Sequence, residues 1–228
     1  MENERDQYTL APLPTLEGFT FRRFEGAGDY PGMVDIIMSN MDDPNTHPTS
    51  LEDMTADYAN MSESAPVRDL ILAFHGEQPV AYCRSGCQWE EESRSWLYTW
   101  LMHVHHDWKN QGIEAAMLSW LEDQAGANHH TLHAGSAGMH SCYIPEVNQY
   151  RLDLVRNRGY SPTRYFEDMK RDLENIPNYP LPEGLTIRPA LHRNTDRFGT
   201  RTWKPFRIIG VQPSRPNRHI MNGFPIKL

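Results

Sequence analysis

The chain predicts an α/β fold, a mixed central sheet with helices on both faces. Three observations carry that expectation. Apolar alternation marks several short strands, amphipathic helices of 3.6-residue period fall between them, and the order of the elements alternates along most of the 228 residues. The composition is globular, with 39% hydrophobic and 23% charged residues, and the length suits one substantial core with an appendage.

The elements follow in order. Phe19-Thr-Phe-Arg-Arg-Phe24 alternates as an opening strand. Tyr30 to Met41 carries Met33, Ile36, Ile37 and Met41 at helical spacing. Ser50 is placed to cap a helix over Leu51 to Met61, with Asp53 in the capping-box position. Asp69 to Phe74 and Pro79 to Cys83 read as two strands joined by a tight turn at His75-Gly-Glu. Glu90-Glu-Glu-Ser-Arg94 reads as a solvated hairpin tip. Ser95 to Val104 is a strand rich in Trp and Tyr. A polar turn follows at 105–111, then a helix from Gly112 to Gln124 with Ile113, Ala116, Met117, Trp120 and Leu121 on its apolar face. Thr131-Leu-His-Ala134 reads as a short strand. Glu146 to Arg158 reads as a helix with Val147, Tyr150, Leu154 and Leu152 inward, stopped by Gly159. Arg164 to Leu173 reads as a closing strand, and Pro177, Pro180 and Pro182 as a stiff linker. Three segments result: an N-terminal extension at 1–18, a domain at 19–176, and a linker with a basic tail at 177–228.

Charge divides the same way. Residues 1–182 hold 13 Lys and Arg against 28 Asp and Glu, whereas residues 183–228 hold 9 against 2. An acidic body argues against a nucleic-acid partner. No apolar run reaches membrane-spanning length, and the polar, acidic start lacks the pattern of an export signal. Three cysteines, Cys83, Cys87 and Cys142, are then expected as reduced thiols in a cytoplasmic protein. His129, His133 and His140 complete no known metal spacing, so no metal is expected.

The segment Leu101 to Leu118 concentrates the chemistry. A strand runs into a polar turn and then into a helix, an arrangement that aims backbone N–H groups and the positive end of a helix dipole at one place. Such a place suits a phosphate or diphosphate. Lys109-Asn-Gln-Gly112-Ile-Glu114 within it resembles the acetyl-CoA signature of the GNAT superfamily of acyl-CoA-dependent N-acyltransferases, in which Gln or Arg is followed after two residues by Gly and then by one residue and Gly or Ala. Asn148, Val155, Gly159 and Tyr160 resemble a second pattern of the family, an Asn, a Tyr seven residues on, then Gly and an aromatic. The resemblance covers roughly residues 19–173 in element order.

The resemblance implies a GNAT fold, acetyl-CoA as acyl-donor cosubstrate, and transfer of an acetyl group to a primary amine of a small molecule by direct attack in a ternary complex. It implies that the backbone at Met102, His103 and Val104 pairs with the pantetheine arm. Lys109, Asn110, Gln111, Gly112, Ile113, Glu114 and Ala115 would face the diphosphate, and Asn148 would touch the cofactor from the next helix. Three departures stand out. Lys109 lacks the planar fork of Arg, Glu114 brings a carboxylate where the family has a small residue, and Val155 stands where many members carry the Tyr that reprotonates the thiolate. Tyr98 and Tyr150 are the candidates for proton transfer, with His103, His105 and His106 as further bases if they face the site. Asp35, Asp42, Asp43, Asp53 and Asp57 either attract a cationic amine or form a solvated surface. A catalytically silent GNAT-like binding or regulatory module is the alternative. Leu181 to Ala190 resembles the opening strand of a second repeat, and Trp203 to Val211 is the strand-like run of the tail. That tail would pack on the first domain, pair between subunits as in a homodimer, or stay loose.

Overall fold

A computed structural model describes residues 10–43, 46–59, 68–167, 169 and 171–186, together with the backbone of 218–225. Seven strands form one mixed sheet in the order β1-β2-β3-β4-β5-β7-β6. These are β1 (Thr20–Arg23), β2 (Leu70–His75), β3 (Gln78–Glu90), β4 (Ser95–Val104), β5 (Ala137–Pro145), β6 (Ser161–Glu167) and β7 (Arg218–Pro225). Four described helices accompany them: α1 (Tyr30–Met38), α2 (Leu51–Ala59), α3 (Ile113–Leu132) and α4 (Gln149–Asn157). β4 and β5 run parallel, and every other neighbouring pair is antiparallel.

The centre of the sheet is buried on both faces, which explains why β2 reads as a continuous apolar run. Leu70, Leu72 and Tyr82 meet Met33 and Ile36 of α1 and Met54 and Tyr58 of α2. On the other face Ile71, Ala73, Cys83, Trp100, Met102 and Val104 meet Met117, Leu118 and Leu121 of α3 and Leu152 and Val155 of α4. The helices start as their sequences direct. The Asp53 N–H donates to Ser50 Oγ at 3.1 Å and the Ser50 N–H donates to Asp53 Oδ2 at 3.0 Å, so the capping box closes with Asp in the Glu position. Gly159, at φ 85°, ends α4 in the left-handed region, and the Tyr160 N–H returns to the Val155 carbonyl.

Several expectations need correction. α3 continues to Leu132 and takes in the first two residues of the expected strand at Thr131–Ala134, whose last two lie in the turn after it; the strand is β5, at Ala137–Pro145. A buried polar stripe extends the helix: Gln124 Nε2 donates to Asn128 Oδ1, and Asn128 Nδ2 donates to Asp69 Oδ1. β6 occupies Ser161–Glu167, earlier than the expected Arg164–Leu173. Val147, which precedes α4, and Tyr150 on it do not turn inward; they are 59% and 41% exposed, while Leu152 is buried as expected and Val155 joins it in the core. β3 runs on to Glu90, and the hairpin tip follows it.

Residues 10–18, part of the N-terminal extension, lie against the core. The Ala11 N–H donates to Gln124 Oε1 at 3.1 Å, and Leu16 packs on the α3 side. The sheet also takes a strand from the basic tail: β7 inserts between β5 and β6, pairing Met139 with Pro225 on one side and Ser161 with Gly223 on the other. Trp203 to Val211 and residues 187–190 lie outside the described residues. Residues 171–186 form a separate unit with 169, exposed and without strand or helix. The three cysteines are free. No described helix is long and apolar enough to cross a membrane, and among the described residues no three metal-binding side chains come together.

Candidate functional site

Two parallel strands part company at the centre of the sheet. The β4–β5 pairing runs from Ser95 with Ala137 to Trp100 with Cys142 and stops there. Beyond it, β5 continues against β7 on its far side, and residues 101–104 of β4 keep β3 alone. Main-chain groups at such a parting lack a ladder partner and need another one. Here a cleft of about 1070 Å³ opens, lined by β3, β4, the start of α3, the end of β5 and the start of α4. Met102 and Val104 turn their side chains into the core, so what they offer the cleft is backbone. The Val104 carbonyl is already taken by Asn40 Nδ2, at 2.9 Å.

The turn that follows forms one wall. A short 3-10 turn spans His106–Trp108, with His105 Nδ1 accepting from the Asp107 N–H. Asn110 at φ 62° and Gly112 at φ 89° both take the left-handed conformation that points successive amides the same way. Gly112 is needed for that dihedral, and the group that approaches it is Leu16: a Cβ there would stand 3.6 Å from Leu16 Cδ1. Gly112 caps α3 without a side-chain hydrogen bond. Glu114 supplies one from the first turn of the helix. Its Oε1 accepts from the Asn110 N–H at 3.4 Å, its Oε2 is buried with no hydrogen-bond partner among the described residues, and the residue is 2% exposed.

The opposite wall is the start of α4. Asn148 Oδ1 accepts from the Arg151 N–H at 3.1 Å and so caps the helix. Arg151 extends into the cleft. Burial lowers its pKa, and the negative charges of Glu114 and Asp43 oppose that. Burial raises the Tyr150 phenol, with the Glu114 charge adding to the shift. His103 stacks on Tyr82 at 5.0 Å and is pushed down to about 3, first by burial and then by Arg151 and Arg84. At neutral pH it is an uncharged imidazole.

Of the expected site residues, Met102, His103, Val104, Lys109, Asn110, Glu114, Asn148 and Tyr150 line this one cleft. Gln111, Gly112, Ile113 and Ala115 are not among its lining residues. Tyr98 lies elsewhere: its hydroxyl shares a hydrogen bond with His133 Nδ1 at 2.7 Å, buried against α3. Of the five aspartates only Asp43 reaches the cleft; Asp35, Asp42, Asp53 and Asp57 are exposed. Arg151 was not anticipated. It lies three residues after Asn148 and four before Val155, on the helical stripe those two already define, and that spacing was the available signal.

No protein-family model matches the chain, and no curated protein does. Solved structures do. A GCN5-related N-acetyltransferase from Sphaerobacter thermophilus superposes with a TM-score of 0.55 at 18% identity, over 68% of this chain and 46% of that one, so this chain spans less than half of that relative. An N-acetyltransferase from Staphylococcus aureus Mu50 gives 0.56 at 9% identity, over 92% and 99%. A GNAT superfamily phosphinothricin acetyltransferase from Sinorhizobium meliloti, solved in complex with AcCoA, gives 0.55 at 13% identity, over 91% and 88%. At such identities the likeness is one of architecture: the chain has the GNAT fold.

Proposed function

We propose that the protein is an N-acetyltransferase, cytoplasmic in keeping with its free thiols, that moves the acetyl group of an acetyl-CoA-type thioester to a primary amine of a small molecule. One observation carries this reading: the parting of β4 from β5 opens into the cleft and leaves strand backbone there without a ladder partner. An extended thioester arm fits that edge. The backbone of Met102 and His103 would hold it by hydrogen bonds, as a neighbouring strand would.

Direct attack needs a free amine at the carbonyl and a proton for the departing sulfur. Tyr150 is the residue we assign to the second task. It lines the cleft, and burial together with the Glu114 charge keeps its phenol protonated. His103, neutral and lining the same cleft, can share a hydrogen bond with the incoming amine, but at about 3 it is too weak a base to take the proton of an ammonium. Tyr98, bonded to His133, serves the core and takes no part.

The test is release of free thiol from acetyl-CoA with a panel of primary amines, run beside donor binding by calorimetry. Amine-dependent release is expected. Tyr150→Phe should lower turnover by about 10²-fold, in the range for a lost general acid, with donor binding unchanged. A second reading, a silent binding module, is favoured by Glu114, whose buried carboxylate stands in the turn. Donor binding with no transfer to any amine would support it over the enzyme.

A further inference from the structure

The turn before α3 does not suit a diphosphate. Its approach is held by the protein's own anion: Glu114 Oε1 takes the Asn110 N–H, and Oε2 sits beside it, buried and without a partner. A buried carboxylate with an unused oxygen is costly. A ligand that brings a second anion adds to that cost, because few water molecules screen a charge that is 2% exposed. Lys109 lines the same wall but is solvent-exposed, so its attraction is screened where the Glu114 repulsion is not. Arg151 is drawn to Glu114 across the cleft, yet it donates no hydrogen bond to either oxygen, since Oε2 has no partner and Oε1 is met by the Asn110 amide.

The two halves of the cleft therefore ask for different chemistry. Along residues 101–103 the unpaired edge of β4 suits the amides of a pantetheine arm. At the turn, the buried Glu114 charge disfavours a second anion, so that wall suits a neutral stretch of the donor. We infer that this protein recognises its acyl donor through the neutral pantetheine arm alone, and that Glu114 is the specificity-determining residue that makes the adenosine diphosphate of CoA dispensable. The donor class is an acyl thioester of pantetheine. The inference rests on the acetyltransferase reading and sharpens its donor.

The experiment compares pantetheine with CoA by calorimetry, on the full chain, for the native protein and for Glu114→Gln and Glu114→Ala. Gln keeps the length of the side chain and an oxygen for the Asn110 N–H while removing the charge, and thermal melts confirm that each variant is folded. In the native protein the two affinities should agree within about threefold. Loss of the charge should raise the CoA-to-pantetheine affinity ratio by about tenfold or more, the scale expected when a like-charge contact is removed. Acetyl-pantetheine and acetyl-CoA should then serve the native protein as donors with similar kcat/KM. A native preference of tenfold or more for CoA overturns the inference and leaves the acetyltransferase reading standing. So does a CoA-to-pantetheine ratio unmoved in both variants. Failure of native protein and variants to bind either ligand overturns both.

Discussion

The Asn40 side-chain amide donates to the Val104 carbonyl at 2.9 Å and to the Ile36 carbonyl at 2.9 Å, so one residue ties the end of α1 to the end of β4. The tie holds the strand where it has lost β5 as a neighbour. Asn40→Ala should cost about 1–2 kcal/mol, the range for a buried hydrogen-bond partner removed, read as a lower midpoint in urea with an unchanged slope. A midpoint equal to the native one would show that the strand end needs no such anchor.

Gly138 on β5 lies beneath the ring of His129. A Cβ there would stand 2.7 Å from both Cε1 and Nδ1 of an imidazole that is itself buried and bonded through Nε2 to the Ser136 carbonyl. Neither side has room to yield, so Gly138→Ala should destabilise by about 1–3 kcal/mol through overpacking. A thermal melt unchanged by that substitution would mean the ring moves freely.

His140 is buried, shares a hydrogen bond between Nδ1 and the Tyr160 hydroxyl, and is pushed down to about 3 by burial. Its unfolded-state value is near 6.5. The depressed value means the unfolded chain binds the proton first. The stabilising contribution is whole above pH 6.5 and is lost as pH falls toward 3, by up to about 1.4 kcal/mol per pH unit. Urea unfolding from pH 7 to pH 4 should show this slope, and His140→Gln should reduce it by one group's share, leaving that of His103, which burial also holds at about 3. Equal slopes would sink the assignment.

Tyr98 and Tyr150 separate by location. Tyr98→Phe removes the partner of His133 and should cost about 1 kcal/mol while leaving kcat and KM within twofold of native. A large loss of kcat with normal stability would place Tyr98 in the chemistry after all.

Ending the chain after Asn217 removes β7 and exposes long edges of β5 and β6 at once. Aggregation or loss of the cooperative melt is expected. A monodisperse protein with the native melting temperature would show β7 to be dispensable.

What was legible in the sequence follows the range of the interactions. α1, the capped start of α2, the β2–β3 hairpin and the β4–turn–α3 unit were readable because their signals are local: period, cap and turn. β5 was not. Ala-Gly-Met-His-Ser-Cys holds few β-branched residues, and parallel pairing with β4 and enclosure by β7 make it a strand. β7 was hidden for the same reason, since its partners lie far away along the chain. At the site, the cleft's backbone walls were readable from the strand–turn–helix pattern. The orientation of Tyr98 was not, because one residue of register decides which face of a strand a side chain takes. Glu114 was legible as a departure, but its contact with the Asn110 amide needed coordinates.

β7 also sets a timetable for synthesis. About 50 residues separate Glu167 from Arg218, and at roughly 5–20 residues per second a ribosome takes several seconds to cross them. During that interval β6 has been made without the strand it pairs with, and the outer edge of β5 stands open. The nascent protein must survive as an unclosed sheet, so slower elongation through residues 168–217, or scarcity of holding chaperones, should lower its soluble yield without any change in the stability of the finished fold.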